Sequence, residues 1–98
     1  MVEYYVIDSI KHKGLRLLWE NNNPSKLPAT QVDKIRRILT SLDAIKTLEP
    51  LRKIPGYRLH MLSGNFKGFW SLSVIGNYRI IFRFENESVS DIDYIDYH

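Results

Sequence analysis

Residues 68–85 read GFWSLSVIGNYRIIFRFE, and this stretch decides the fold. Two runs rich in aromatic and β-branched residues flank Gly76 and Asn77, which is typical of a two-residue β-hairpin. In the second run, one set of alternate positions is wholly apolar: Tyr78, Ile80, Phe82 and Phe84. The other set holds Arg79, Ile81 and Arg83. Because residues two apart share a face of a strand, the apolar face should meet a core and the other should carry the arginines.

Two more alternating runs flank this hairpin, YRLHML at residues 57–62 and VSDIDYI at residues 89–95. The links between successive runs are short, as antiparallel strands allow and parallel strands do not. We therefore predict a meander of four antiparallel strands. A further strand is predicted from EYYVI at residues 3–7. The core side of the sheet should carry Tyr57, Leu59, Met61, Trp70, Leu72 and Val74.

Between the first strand and the meander, the apolar residues recur with the period of helices. Asp8 or Ser9 is expected to cap a first helix that carries Leu15, Leu17, Leu18 and Trp19. Pro28 suits the first turn of a second helix, and Pro50 should end it. The apolar stripe of this second helix is Val32, Ile35, Leu39, Leu42 and Ile45. We predict an α+β fold in which the N-terminal strand and two helices pack on one face of an antiparallel sheet.

Composition narrows the class of protein. The 98 residues suit one domain spanning residues 1–98. The chain has no cysteine, which excludes disulfides and thiolate chemistry and suits a reducing cytoplasm. No apolar run approaches the roughly 20 residues that span a bilayer, and the start lacks a signal-peptide pattern, so we expect no membrane partner. The net charge of +3 permits nucleic-acid binding without requiring it.

The strand pattern gathers polar residues on the face away from the helices. Alternation places Arg58, His60, Arg79 and Arg83 on that face, and the sequence closes on Asp96, Tyr97 and His98 beside the strand that bears Arg79. Imidazoles can move protons near neutral pH, and a guanidinium can stabilise charge on a phosphate, so these residues suit RNA transesterification. The sequence shows neither a carboxylate cluster nor His/Cys metal spacing, and we expect no metal and no cofactor.

These residues also have structural interpretations. Arg79 can pair across strands with Asp91 or Asp93, a surface ion pair worth about 0–1 kcal/mol, and Arg83 suits that role better. His12 is expected to be an exposed helix residue, and Trp19 and Trp70 should belong to the core. The carboxylate of Asp96 can accept backbone N–H groups and fix the end of the chain.

Four stretches carry a resemblance to a known family: KHKGLRLLWE at residues 11–20, YRLHMLSG at 57–64, residues 68–85, and DYIDYH at 93–98. Together they resemble the HigB branch of the RelE superfamily, the plasmid maintenance killer toxins of type II toxin–antitoxin systems. The resemblance covers nearly the whole chain. It implies a microbial-RNase-like fold and a ribosome-dependent mRNA endonuclease that cuts the codon in the A site without metal.

The resemblance also implies roles and partners. It marks His60 as the strand histidine, Arg79 as the phosphate-facing arginine, and the last three residues, Asp96, Tyr97 and His98, as a catalytic cluster. His60 and His98 are expected to share proton transfer, with Asp96 as an alternative base or as an orienter of the imidazole. Tyr97 should position the 2′-OH or a base. The implied partners are a HigA-like helix-turn-helix antitoxin, the ribosome with its mRNA, and operator DNA bound through the antitoxin complex.

The basic residues are expected to contact RNA, mostly through phosphates. They are Lys11, Lys13, Arg16, Lys34, Arg37, Arg58 and Lys67. Relatives often carry a lysine where this chain has Ser63, and Lys67 is the candidate to replace it. Ser63 also leaves a second hypothesis open, a module of the same fold that binds RNA, the ribosome or a partner without cleaving RNA.

Overall fold

The computed structural model describes residues 6–97. A four-stranded antiparallel sheet runs in the order β1-β2-β3-β4. The strands are β1 at His60–Met61, β2 at Trp70–Ser73, β3 at Tyr78–Glu85 and β4 at Ser88–Asp96. The helices are α1 at Lys13–Asn21, α2 at Val32–Leu42 and a short α3 at Glu49–Arg52. The predicted α+β meander is confirmed.

The helix ends differ from those predicted. Helix α1 is capped by His12, whose Nδ1 accepts the Leu15 N–H at 3.3 Å, so the expected caps Asp8 and Ser9 are wrong. Those two residues instead belong to a segment that lies along β4. Pro28 precedes a 3₁₀ turn at Ala29–Gln31, which leads into α2. Pro50 does not end α2, because it lies in the first turn of α3, where proline is tolerated.

The segment before α1 adds a parallel edge to the sheet. Ile7 bridges Val89 and Ile10 bridges Ile92, both in parallel. The Asp8 N–H donates to the Val89 carbonyl at 2.7 Å. The predicted first strand thus follows β4 at its last two residues, 6 and 7, while residues 3–5 lie outside the described part of the chain.

The main core lies between the helices and one face of the sheet. Its fully buried side chains come from both layers, among them Leu15, Ile35, Leu39, Leu42, Leu72, Ile80, Phe82 and Ile92. Burying each of these stabilises the fold by roughly 1.5–3 kcal/mol. Both tryptophans, Trp19 and Trp70, are half-buried against this core, as predicted.

Strand β1 is shorter than predicted. Arg58 has a left-handed φ of +51°, so the extended backbone begins only at His60. Tyr57 and Leu59 contact the main core as expected. Met61 does not, because it lies on the outermost strand and is 55% exposed.

The face without helices carries a second apolar cluster instead of the open cationic surface that was predicted. Leu62, Phe69 and Ile81 are buried there. Three partly buried residues cover them: Phe66, Ile95 and Tyr97. Strand β3 carries isoleucines on both faces, Ile80 toward the helices and Ile81 away from them, so apolar side chains must pack on both faces. The loop between β1 and β2 supplies some of those that pack on Ile81.

Arg83 holds this second cluster together at one side. Its guanidinium lies 4.4 Å from the centroid of the Phe69 ring, and its Nε lies 3.5 Å from a carboxylate oxygen of Asp91. The predicted surface pairing of Arg83 is confirmed.

A β-bulge interrupts the pairing of β3 with β4, and it changes which face of the sheet each later residue of β4 occupies. Arg83 is opposite Ser90, but Ile81 is opposite Asp93, so two residues of β4 face one of β3. Asp91 in the bulge has a φ of +52°, and its N–H donates to Ser9 Oγ at 2.8 Å.

Gly68→Ala tests the packing of Arg83. Gly68 has a φ of +93°, and an added Cβ would lie 2.8 Å from Nη1 of Arg83. We expect a loss of stability of about 2 kcal/mol from the strained backbone and a further loss because Nη1 of Arg83 must move, both measured by urea denaturation. Gly56→Ala is the control, since Gly56 has a φ of +86° and its nearest atom lies 3.8 Å away. Equal losses in the two variants would show that the Arg83 contact contributes nothing.

Candidate active site

His60 stands on the helix-free face, opposite Ser71 of β2, and its side chain is exposed. Its Nδ1 lies 3.1 Å from the carbonyl oxygen of Arg58. A carbonyl oxygen only accepts hydrogen bonds, so Nδ1 must carry the hydrogen. In the neutral ring, Nε2 is then left as a free acceptor, which is the state that a general base needs.

Arg79 lies at the start of β3, on the same face as His60. Its Nη1 donates to the carbonyls of Gly76 at 3.0 Å and Tyr78 at 3.3 Å. Its Nε is buried and has no hydrogen-bond partner among the residues that the structure describes. Within residues 6–97, no ion pair joins Arg79 to a carboxylate, so the alternative pairing with Asp91 or Asp93 does not occur. Backbone carbonyls of the β2–β3 hairpin therefore orient the Arg79 guanidinium, and within residues 6–97 no carboxylate neutralises its charge.

Tyr97 borders a groove of about 530 Å³ on this face, lined by residues 63–66 and 95–97. The Tyr97 N–H donates to the Asn77 carbonyl at 2.8 Å, which anchors the end of β4 to the hairpin. The ring of Tyr97 lies 6.0 Å from that of Phe66 at an interplanar angle of 61°. An aromatic wall next to a polar loop is the kind of surface on which a nucleobase can stack.

Asp96 takes a different position from its two neighbours. It is opposite Tyr78 in the sheet and so occupies a helix-side position, whereas Ile95 and Tyr97 occupy positions on the other face. Asp96 borders the groove and also influences Tyr94 on the helix side. Burial first, then the nearby Tyr78 and Asp96, raise the pKa of Tyr94 to about 12, against the lowering effect of its hydrogen bond to Gln31.

The structure leaves part of the predicted cluster unplaced. His98 lies outside the described residues, so its meeting with His60 stays a prediction. Among residues 6–97, no group of three or more His, Cys, Asp or Glu side chains is arranged to hold a metal ion. Within the same part of the chain, no helix has both the length and the apolar character needed to cross a bilayer.

The residues predicted to bind RNA lie mostly at the surface. Six are exposed: Lys11, Lys13, Arg16, Arg37, Arg58 and Lys67. Lys34 is half-buried, with its Nζ 3.4 Å from the Gly56 carbonyl and 5.9 Å from the centroid of the Tyr57 ring. Burial, and then the charge of Arg37, lower the pKa of Lys34.

Two residues near the site were misread or missed. His12 is not an exposed helix residue: it caps α1 and is half-buried, with its ring 5.5 Å from that of Tyr94. Phe66 lies in the SGNFKG loop, which its glycines mark only as a link between strands. The sequence feature that could have drawn attention to Phe66 is an aromatic residue in an otherwise polar, glycine-rich loop.

Comparison with solved structures defines the class of fold. The YoeB–YefM complex from Staphylococcus aureus contains a chain that matches with a TM-score of 0.58 and 18% identity, over 98% of this chain and 99% of that one. At that identity the likeness shows the α+β fold alone.

Comparison of sequences then gives the family. Residues 8–98 match the family described as "RelE-like toxin of type II toxin-antitoxin system HigB". Endoribonuclease HigB of Proteus vulgaris is 43% identical over 94 residues, covering 95% of this chain and all of that protein. Toxin HigB-1 of Vibrio cholerae is 35% identical over 89 residues, covering 90% and 93% of the two chains. The chain belongs to the HigB-like family of type II toxins, and the predicted resemblance is confirmed.

The two histidines that the structure describes should have opposite tautomers. Nδ1 of His60 donates to a carbonyl, whereas Nδ1 of His12 accepts from the Leu15 N–H. In ¹H–¹⁵N NMR spectra recorded where both rings are neutral, we expect the hydrogen on Nδ1 of His60 and on Nε2 of His12. His12→Asn assigns the signals, and the same tautomer in both rings would contradict the geometry.

Proposed function

We propose that this HigB-type toxin is an endoribonuclease that cleaves mRNA in the ribosomal A site by metal-independent acid–base catalysis. The observation that carries the proposal is the free Nε2 of His60 on the sheet face that also holds Arg79 and the groove beside Tyr97. The relative from Proteus vulgaris, at 43% identity over its whole length, is named as an endoribonuclease and supports the same activity here.

The proposed reaction is an internal transesterification. Nε2 of His60 takes the proton of the 2′-OH, whose oxygen then attacks the adjacent phosphorus. The bond from phosphorus to the 5′-oxygen breaks, and His98 gives that oxygen a proton, leaving a 2′,3′-cyclic phosphate and a 5′-OH. Asp96 is the alternative base or an orienter of the imidazole. Tyr97 positions the 2′-OH or stacks on a base.

Arg79 is proposed to stabilise the negative charge that develops on the phosphate. Within the described part of the chain, its hydrogen bonds are two to neutral carbonyls, and its Nε has no partner there. A buried polar group without a partner is unfavourable by about 1–3 kcal/mol. If the Arg79 side chain turns toward a phosphate, it gives up two hydrogen bonds to neutral carbonyls. Charge-assisted hydrogen bonds to the phosphate oxygens would replace them.

The proposed partners follow from charge and family. The exposed basic residues, among them Lys11, Lys13 and Arg16, would contact phosphates of ribosomal RNA. The neighbouring fold comes from a complex of YoeB with YefM, which supports an antitoxin partner for this toxin as well. We propose a HigA-like helix-turn-helix antitoxin, operator DNA bound through the complex of the two proteins, and action in the cytoplasm.

One observation favours a second function. Ser63, which lines the groove, carries no charge, and Lys67 is exposed just beyond the groove. A toxin that lacks this cation could occupy the ribosome and block translation without cutting RNA.

His60→Asn and His60→Gln test the base. Asparagine can still donate to the Arg58 carbonyl from the position of Nδ1, but it has no basic nitrogen, so the loop should stay intact. We expect each variant to lower cleavage by roughly 100-fold or more on ribosomes programmed with mRNA. Ribosome-free mRNA is the control for ribosome dependence.

The same variants separate the two functions in growing bacteria. Growth arrest with cut mRNA in wild type, lost in His60→Asn, supports the enzyme. Equal arrest by both proteins, with intact mRNA, would instead support the non-cleaving module.

Arg79→Ala and Arg83→Ala form a matched pair on one strand. No carboxylate among residues 6–97 forms an ion pair with Arg79, whereas Arg83 contacts Phe69 and Asp91. We expect Arg79→Ala to slow cleavage by about 100-fold with little change in stability. Arg83→Ala should lower the denaturation midpoint and leave the cleavage rate within a few-fold. Reversed effects would remove Arg79 from the site.

A further inference from the structure

The ring of Tyr97 packs against the second apolar cluster and against a ring of the neighbouring loop. Beyond the strand ladder, the backbone at Tyr97 is held by one described hydrogen bond, to the Asn77 carbonyl. The ring is half-buried, and its described aromatic neighbour is Phe66 at 6.0 Å. Phe66 is far away in sequence, in the 3₁₀ turn Gly64–Phe66.

Phe66 in turn packs against the buried cluster of the helix-free face. Its ring meets Phe69 edge to face, with centroids 6.3 Å apart and an interplanar angle of 89°. The Phe69 N–H donates to the Phe66 carbonyl at 3.0 Å, and the Phe66 N–H donates to the Ser63 carbonyl at 3.3 Å. Phe69 itself is buried and covered by Arg83. Edge-to-face pairs of this kind are favourable beyond the area they bury, because the positive edge of one ring meets the negative face of the other.

We propose that Phe66 is a positioning residue, which transmits the fixed orientation of Phe69 to Tyr97 and so holds the end of β4 against the groove. The inference rests on the proposed function. Phe66 is half-buried between two rings, which favours support of Tyr97 over direct contact with RNA. A small displacement of a positioned group can slow a reaction by up to 100-fold, so this contact affects the rate more than binding.

Phe66→Leu removes the ring edge but keeps an apolar side chain, and Phe66→Tyr keeps the ring. For Phe66→Leu on mRNA-programmed ribosomes, we expect kcat to fall about tenfold or more with KM within twofold. Hydrogen exchange of the Tyr97 N–H should become faster at the same time. Phe66→Tyr should leave both the kcat and the exchange rate of the Tyr97 N–H at their wild-type values. The control is Phe84→Leu, because Phe84 is a partly buried phenylalanine on the other face of the sheet.

Two results would overturn the proposal. One is a Phe66→Leu protein whose kcat and Tyr97 exchange match those of Phe84→Leu. The other is a rise of KM at constant kcat, which would make Phe66 a contact of the RNA itself. If the wild-type protein cleaves no RNA, the proposed function fails, and the Tyr97 exchange rate still decides whether Phe66 positions that residue.

Discussion

Ile81 must be covered on the side of the sheet that has no helix, and this requirement shapes the rest of the molecule. Its neighbours Ile80 and Phe82 face the main core, so β3 is buried on both sides. The cover for Ile81 comes from Leu62, Phe69 and the residues around them. Among the residues around them, Phe66 lines one wall of the groove, and Ile95 and Tyr97 at the end of β4 line the other. The residues that line the candidate active site thus also help to exclude water from the helix-free face of the sheet.

The meander and the two main helices could be predicted because each rests on a local pattern. The stripe of α2 and the alternation of β3 are repeated several times, and every predicted position of the stripe is buried. Single-residue features could not be predicted in the same way. Whether Pro50 ends one helix or begins another depends on where the preceding chain has already turned. His12 caps α1 in place of Asp8, because the Asp8 N–H donates to the Val89 carbonyl of β4. That hydrogen bond joins distant parts of the chain.

The residues of the candidate site could be named from the sequence, but their arrangement could not. Alternation placed His60 and Arg79 on one face, and the structure agrees. The hydrogen bond that selects the tautomer of His60 depends on the left-handed backbone of Arg58, which no pattern of residue types reveals. The role of Phe66 depends on a contact across the sheet. The predicted meeting of His60 with His98 stays a prediction.

The bulge in β4 has a consequence for the chemistry at the far end of that strand. Without the extra residue, every position after Asp91 would exchange sides, and Asp96 would stand where Tyr97 now stands. Ser9 and Arg83 both contact Asp91 in this bulge, several residues before Asp96 and Tyr97. Whether the carboxylate of Asp96 or the phenol of Tyr97 lies on the helix-free face is thus decided at the bulge, several residues earlier in the strand.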